Sequence, residues 1–344
     1  MYEVAIIANQ DIQLNITRAR CLCRIYSIKF VQTSKMSSAD DNIVVAEARM
    51  MCCASCGKSE VDDVKLIDCA DCKSVRYCSD NCREDHRPEH EAKCKERAAE
   101  LRDEILFRQP ESTHLGDCPI CSLPMPIEDE KVGVASCSSC SKLICNGCSF
   151  ADWARQQREN MRVIKCPFCR IPVSTTDEEF NKNLMKRAEQ NDPAALRRMG
   201  LRHARREEYD KTFEYFTRAA ELGDADAHYN LSIMYNKGQC VEKDETKRVY
   251  HLEEAAIAGQ PSAHHSLGYV EWNKERYNRA LKHWIIAANL GYDRSIKELK
   301  NCYQDGDVSK EDFAAALRAH HAAVNATKSP QRDEAEKAKY ADIT

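Results

Sequence analysis

Apolar residues in the second half of the chain recur at i, i+4 and i+7. They do so at Ala227, Leu231 and Met234 and again at Ala263, Leu267 and Val270, the spacing of one face of a helix. A partner set lies in phase with them: Phe213, Val249 and Leu281 correspond, as do Phe216, Leu252 and Trp284. The small residues Ala195, Ala227, Ala263 and Ser295 step by 32, 36 and 32 positions, and Ala219-Ala220, Ala255-Ala256 and Ala287-Ala288 are each followed by a glycine three residues on. A weaker fourth copy has Ala322-Ala323 and lacks the glycine. This period predicts helix pairs repeated over 192–327. The alanines let neighbouring helices approach closely, and the glycine can take the left-handed conformation that ends a helix. One pair alone could not bury its apolar face, so the copies are expected to stack into a solenoid with a continuous core.

The first half has no such period. Glu89 to Phe107 is rich in Ala, Glu, Lys and Arg and reads as a helix running until Pro110, within a helical linker over 95–117. Thr176-Asp177-Glu178-Glu179 has capping-box spacing and should start a helix leading into the repeats. A polar, charged composition predicts a disordered tail over 328–344. Residues 1–45 read as a disordered extension, with Met36 as an alternative start. Arg18, Arg20, Arg24, Lys29 and Lys35, with no acid from Ile12 to Ser38, leave an organelle-targeting segment open. No run nears the roughly 18 apolar residues of a membrane helix, so no membrane role is expected.

Cysteine usage changes the picture most. Of 20 cysteines in 344 residues, 15 fall between Cys53 and Cys169, as CxxC pairs together with spaced histidine. That is the arithmetic of metal sites in a reducing compartment, cytoplasmic or nuclear, rather than of a secreted disulfide framework. Cys53, Cys56, Cys69, Cys72, Cys78, Cys82, His90 and Cys94 supply eight ligands, and Cys118, Cys121, Cys137, Cys140, Cys145, Cys148, Cys166 and Cys169 supply eight more. Together they suffice for four tetrahedral Zn2+ ions, since thiolates two or three residues apart can converge on one ion at about 2.3 Å. A four-ligand shell leaves no place for water, so these zincs are expected to fold the chain and not to catalyse.

Charge excludes a further class. Lys and Arg number 51 against 55 Asp and Glu overall, and seven against ten within residues 53–94. The second cluster is also net negative once its thiolates and two divalent ions are counted. A phosphate backbone would find little to hold, so no nucleic-acid partner is expected and protein partners are favoured. With only 11 glycines the chain shows no phosphate-binding or cofactor-binding glycine loop.

The stretches Arg76-Tyr77-Cys78-Ser79-Asp80-Asn81-Cys82 and Pro88-Glu89-His90 make residues 53–94 resemble the MYND zinc finger. The resemblance implies interleaved sites, Cys53, Cys56, Cys78 and Cys82 holding one zinc and Cys69, Cys72, His90 and Cys94 the other, and a shallow groove for proline-rich peptides. Arg87 stands where that family often has Trp, and His86 is a decoy whose spacing fits worse. Residues 118–170, from Cys118-Pro119-Ile120-Cys121 to Cys166-Pro167-Phe168-Cys169-Arg170, resemble a RING finger with Cys where His is usual. Its cross-brace implies Cys118, Cys121, Cys145 and Cys148 in one site and Cys137, Cys140, Cys166 and Cys169 in the other. Such fingers dock a ubiquitin-conjugating enzyme, and the resemblance assigns that contact to Ile120, Trp153, Pro167 and Arg170.

The Leu-Gly-like pairs, the Ala-Ala-x-x-Gly endings and the Gly238 to Asp244 turn make residues 192–327 resemble Sel-one-like repeats, a solenoid family related to the tetratricopeptide repeats. The order of the three modules, with Pro110-Glu111-Ser112 to Cys121 and Ile144-Cys145-Asn146-Gly147-Cys148, also resembles a large family of diatom and algal proteins, which informs architecture and not function. The expected fold is therefore small zinc-stabilised α+β finger modules followed by an all-α helical-repeat solenoid. The expected function is a non-catalytic zinc-binding scaffold or adaptor for proteins; the alternative is a RING-type ubiquitin ligase. His264-His265 and His320-His321 read as surface or interhelical polar groups, Cys240 as a turn residue and Cys302 as a small core residue.

Overall fold

The structure is a computed structural model and describes residues 52–60, 64–127 and 134–341; the 1–45 extension and the choice between Met1 and Met36 lie outside the described residues. Two compact units divide between Ile105 and Leu106.

In the first unit, β1 (Ile67–Asp68) pairs antiparallel with β2 (Arg76–Tyr77), Ile67 opposite Tyr77, and α1 (Asp80–Leu106) follows. The Ser79 hydroxyl starts α1 by accepting from the Cys82 amide at 3.3 Å. The helix thus begins before Glu89 and ends at Leu106, short of Pro110. Cys82, His90 and Cys94 ride on it, so the expected helical linker over 95–117 is corrected: its first part continues the finger's own helix, and 107–117 is not helical. No residue of α1 before Leu106 is buried. Such a helix is held along its surface by pairs such as Lys95 with Glu91 at 2.6 Å and Arg97 with Glu100 at 2.8 Å. The buried core of this unit is Leu66, Tyr77 and three thiols, Cys53, Cys69 and Cys72. That is too little apolar area to offset the ordering of some 40 residues, which is why ligands must supply the rest.

In the second unit, β3 (Val134–Ser136) pairs antiparallel with β4 (Leu143–Cys145), and α2 (Asn146–Arg158) follows. Next comes α3 (Asp177–Glu189), capped as expected by Thr176 Oγ1, which accepts from the Glu179 amide at 3.2 Å. Four helix pairs succeed it: α4 (Pro193–Ala204) with α5 (Tyr209–Glu221), α6 (Ala225–Lys237) with α7 (Glu245–Ile257), α8 (Pro261–Asn273) with α9 (Tyr277–Asn289), and α10 (Asp293–Asp305) with α11 (Lys310–Ala326). The anchors Ala195, Ala227, Ala263 and Ser295 are all at 0% exposure, and Phe216, Leu252 and Trp284 are buried opposite them. Gly223, Gly259 and Gly291, with φ of 83°, 85° and 92°, close α5, α7 and α9.

Within a pair, the first helix must yield space to the aromatic of the second. A Cβ on Gly200 would lie 2.6 Å from the Phe216 ring, and one on Gly268 would lie 2.1 Å from Trp284 Nε1. Where the second helix offers Leu252 the first carries Ser232, and where it offers Ala316 the first carries Lys300. The fourth copy corrects the alignment. Phe313 and Ala316 pack with Ala280 and Trp284, and His320 is buried where the other copies have their second alanine, while Ala322 is exposed. The register is Ala319-His320, three residues before the expected Ala322-Ala323.

The tail is corrected as well. Instead of disorder over 328–344, the chain forms α12 (Pro330–Ala341), which packs along α2 with Ala335 buried. A Cβ on Gly147 of α2 would lie 2.8 Å from the Arg332 backbone nitrogen, so glycine is what allows this approach.

Candidate metal centres

Five of the CxxC pairs share one local geometry. The residue after the second cysteine takes a positive φ: Gly57 (73°), Lys73 (55°), Ser122 (54°), Ser141 (57°) and Arg170 (62°). Its amide donates back to the carbonyl of the first cysteine, as Gly57 to Cys53 at 2.9 Å, Ser122 to Cys118 at 2.8 Å and Arg170 to Cys166 at 2.9 Å. This tight turn points both sulfurs the same way. Only at Gly57 does the sequence advertise it, because the other four positions hold side chains that bear left-handed strain. Cys145 and Cys148 use a different support, the start of α2.

The turns bring sixteen side chains into four tetrads: Cys53, Cys56, Cys78 and Cys82; Cys69, Cys72, His90 and Cys94; Cys118, Cys121, Cys145 and Cys148; Cys137, Cys140, Cys166 and Cys169. In each, the ligand atoms lie within 4.8 Å of one another. These are the groupings that the two finger resemblances imply. Sulfur–sulfur contacts are 3.5 Å for Cys56–Cys78, 3.6 Å for Cys69–Cys94, 3.7 Å for Cys78–Cys82, and 3.8 Å for both Cys121–Cys145 and Cys137–Cys169. A disulfide would need about 2.05 Å. The edge of a tetrahedron with bonds of about 2.3 Å is about 3.8 Å, so the donors fit a thiolate-bound ion such as Zn2+. Nε2 of His90 sits 3.3 Å from Cys72 Sγ, completing the mixed site.

The electrostatics of the tetrads favour a cation. Burial would raise the Cys53 thiol, yet backbone amides of Cys56, Cys78 and Ser55 hold it down to about 6. Cys69 and Cys118 are likewise brought to about 6 against burial by neighbouring amides. Their neighbours move the other way: Cys78, hydrogen-bonded to Cys56, is pushed up to about 12, as is Cys94 by burial and the thiols of Cys69 and Cys72. Three of the sites thus hold one thiol poised to ionise, and in the fourth neighbouring amides also lower Cys137 against burial, which is the state a thiolate-bound cation requires.

His86 is placed as a support. Its Nδ1 lies 3.1 Å from the Tyr77 hydroxyl and its ring stacks on His90 with centroids 5.5 Å apart. In the second finger the core is Met125, Ile144 and the thiols. Buried Gln156 ties α2 to the last ligand turn, donating to the Lys165 carbonyl at 3.0 Å and accepting from its amide at 2.8 Å. Ile120 and Trp153 remain 44% and 47% exposed, Trp153 stacking on Phe150. Pro167 is half-buried, and the Arg170 guanidinium is exposed, 3.7 Å from Asp152.

Sequence reasoning missed how this finger is seated. His114 Nε2 meets Asp226 at 2.9 Å, and Arg197 meets Asp224 at 3.0 Å and Asp226 at 3.5 Å. Burial opposes ionisation of Asp226, but His114 and Arg197 hold it down to about 2. The His114 amide donates to the Gly259 carbonyl at 3.1 Å, Leu106 enters the core of Leu252, Ala255 and Ala256, and Arg198 reaches the Cys137 carbonyl at 3.4 Å. Asp224 could have been noticed as a helix cap, which it is; its second role depends on tertiary placement.

Closed four-ligand sites on short turns, joined to stacked helix pairs, define a zinc-binding protein built for interaction. More particularly, the chain carries a MYND finger at residues 53–94 and Sel1 repeats at 193–224, 225–260 and 262–292, as the models of those families match there. Both are protein-interaction modules. Among solved structures it is similar to a Sel1 repeat protein from Oxalobacter formigenes, with 22% identity over 50% of this chain and 80% of that one and a TM-score of 0.40. It is also similar to c5321, a protective antigen of uropathogenic Escherichia coli with an SLR fold, with 23% identity over 48% of this chain and 37% of that one and a TM-score of 0.35. No curated protein matches it.

Proposed function

We propose that the chain is an adaptor in which four Zn2+ ions hold two fingers rigid while the fingers and the repeat array each present a face to a protein partner. What supports this reading is the closed donor set of every tetrad, which uses four protein ligands and so stabilises structure without activating water. The fifteen cysteine ligands must stay reduced to bind, which fits a cytoplasmic or nuclear setting. For the MYND finger the proposed ligand is a proline-rich peptide. Ile67 on β1, 65% exposed, is an apolar side chain that the finger leaves in water and that such a peptide could cover. The test is fluorescence anisotropy of a proline-rich peptide panel against the full chain. Saturable binding that Ile67→Asp and chelation each abolish supports the reading, and no binding across the panel refutes that assignment.

A second reading, ubiquitin ligase, is favoured by one observation: Ile120 and Trp153 are not consumed by the finger's core, which Met125 and Ile144 fill. They and Arg170, whose guanidinium is exposed beside Asp152, would be the surface offered to a ubiquitin-conjugating enzyme. Discharge of ubiquitin from loaded conjugating enzymes by the full chain, lost in Ile120→Ala and Arg170→Ala with zinc content unchanged, would establish it. Silence across a broad panel would leave the adaptor.

A further inference from the structure

The guanidinium of Arg332 lies against the Cys118, Cys121, Cys145, Cys148 tetrad although its chain position is more than 180 residues from the nearest of those ligands. One terminal nitrogen donates to the carbonyls of Pro124 at 2.7 Å and Thr327 at 2.6 Å; the other donates to the Leu123 carbonyl at 3.3 Å and lies 3.6 Å from Cys121 Sγ. The backbone of the same residue presses on Gly147, between the ligands Cys145 and Cys148, and Ala335 one turn further along α12 is 3% exposed. Four thiolates around a divalent ion leave a net double negative charge beside this arginine. A cation donating to a ligand sulfur stabilises that charge and slows the protonation or oxidation that would free the thiolate. Three carbonyls fix the fork so that it can do little else.

We infer that Arg332 is the outer-sphere cation of the Cys118–Cys121–Cys145–Cys148 metal site, so that holding the ion and seating the C-terminal helix are one coupled equilibrium. The inference rests on the metal occupancy proposed above. Release of α12 removes the guanidinium and weakens the site; loss of the ion removes the charge that gathers the four sulfurs, and with it the surface that α12 grips. The remaining tetrads have no such contact from α12 among the described hydrogen bonds.

The full-length chain is loaded with zinc, its ions are counted by native mass spectrometry, and release to a chromogenic chelator is followed while N-ethylmaleimide mapping shows which thiols open. Arg332→Gln and Ala335→Asp, the second of which disturbs only the seating of α12, are each expected to release one ion about tenfold faster than wild type, with Cys121 and Cys145 among the first thiols alkylated. Lys337→Ala, exposed on the same helix, is expected to behave as wild type. Amide exchange across residues 330–341 should rise in wild type once the ions are stripped. A full count of four ions with unchanged release in both variants overturns the coupling and leaves the metal reading standing. A wild-type count in which these four thiols are alkylated at once, their site empty, overturns both.

Discussion

Gly268 shows how closely single residues are constrained. Trp284 occupies the volume its Cβ would need and also donates from Nε1 to the His265 carbonyl at 3.2 Å. Gly268→Ala should destabilise the chain by about 2 to 3 kcal/mol through overpacking. Trp284→Leu loses the ring yet should tolerate alanine at 268, as Leu252 tolerates Ser232 in the second copy, so a double-mutant cycle in urea should give a strong favourable coupling. Additive effects would contradict the packing argument.

Two histidines make a second residue-scale prediction. His264 and His283 are at 0% exposure with their Nδ1 atoms 3.0 Å apart; of the two readings the sequence left for His264, surface or interhelical, the packing selects the second, and its partner His283 had no sequence signal. Burial brings His264 down to about 4, and burial together with His264 and Arg279 brings His283 to about 2, from an ordinary value of 6.5. The unfolded chain therefore binds protons that the folded chain refuses. Their contribution to stability is full above pH 6.5 and is lost progressively as pH falls toward 4 and below. At pH 5.5 the pair should cost on the order of 2 to 3 kcal/mol, read as a lower urea midpoint of the far-ultraviolet circular dichroism than at pH 7.5. A His264→Leu, His283→Leu double variant should show a smaller midpoint shift; an equal shift would place the acid sensitivity elsewhere.

Among the elements, the ligand turns carry a cost that can be relieved. Ser122 and Lys73 sit at φ of 54° and 55°, where glycine is free of the strain that a side chain bears, about 1 kcal/mol. Ser122→Gly should raise the thermal midpoint slightly, and Ser122→Val should lower it, because a β-branched residue is worst in that region. The cysteine spacing made the tetrads legible; the left-handed turn that closes them was not, since four of its five positions hold ordinary side chains. The repeats were legible for the same reason in reverse. Each of the first three second helices is punctuated by glycine, and where that signal is missing, in the fourth copy, the alignment slipped from Ala319-His320 to Ala322-Ala323. Helix α12 was not legible because charged and polar residues predominate in it and no apolar stripe marks a face. One buried alanine and an arginine hold it, and the surface it needs is assembled by residues far away in sequence.

For the whole molecule, the finger cores are too small to stand alone, whereas the solenoid is continuous. Chelation with a strong competitor should unfold residues 53–94 and 118–170, since structural zinc supplies apparent folding energy on the order of 10 kcal/mol per site. The helical signal of the repeats should largely persist, and hydrogen exchange resolved by peptide would show the split. A fragment limited to the second finger should hold its ions less tightly than the intact chain, because the Cys137 carbonyl loses Arg198 and the Cys121 sulfur loses Arg332.

The second finger is gripped from both ends of the repeat array: Arg198 of the first helix pair reaches Cys137, and Arg332 beyond the last pair reaches Leu123 and Pro124. An ordinary solenoid is a spring whose pitch can lengthen or tighten when something pulls on it. Here the same small body clips both ends, so the array cannot be stretched without first tearing a clip. Under load in an optical trap it should hold its length and then yield in one abrupt step, where a free array would uncoil pair by pair.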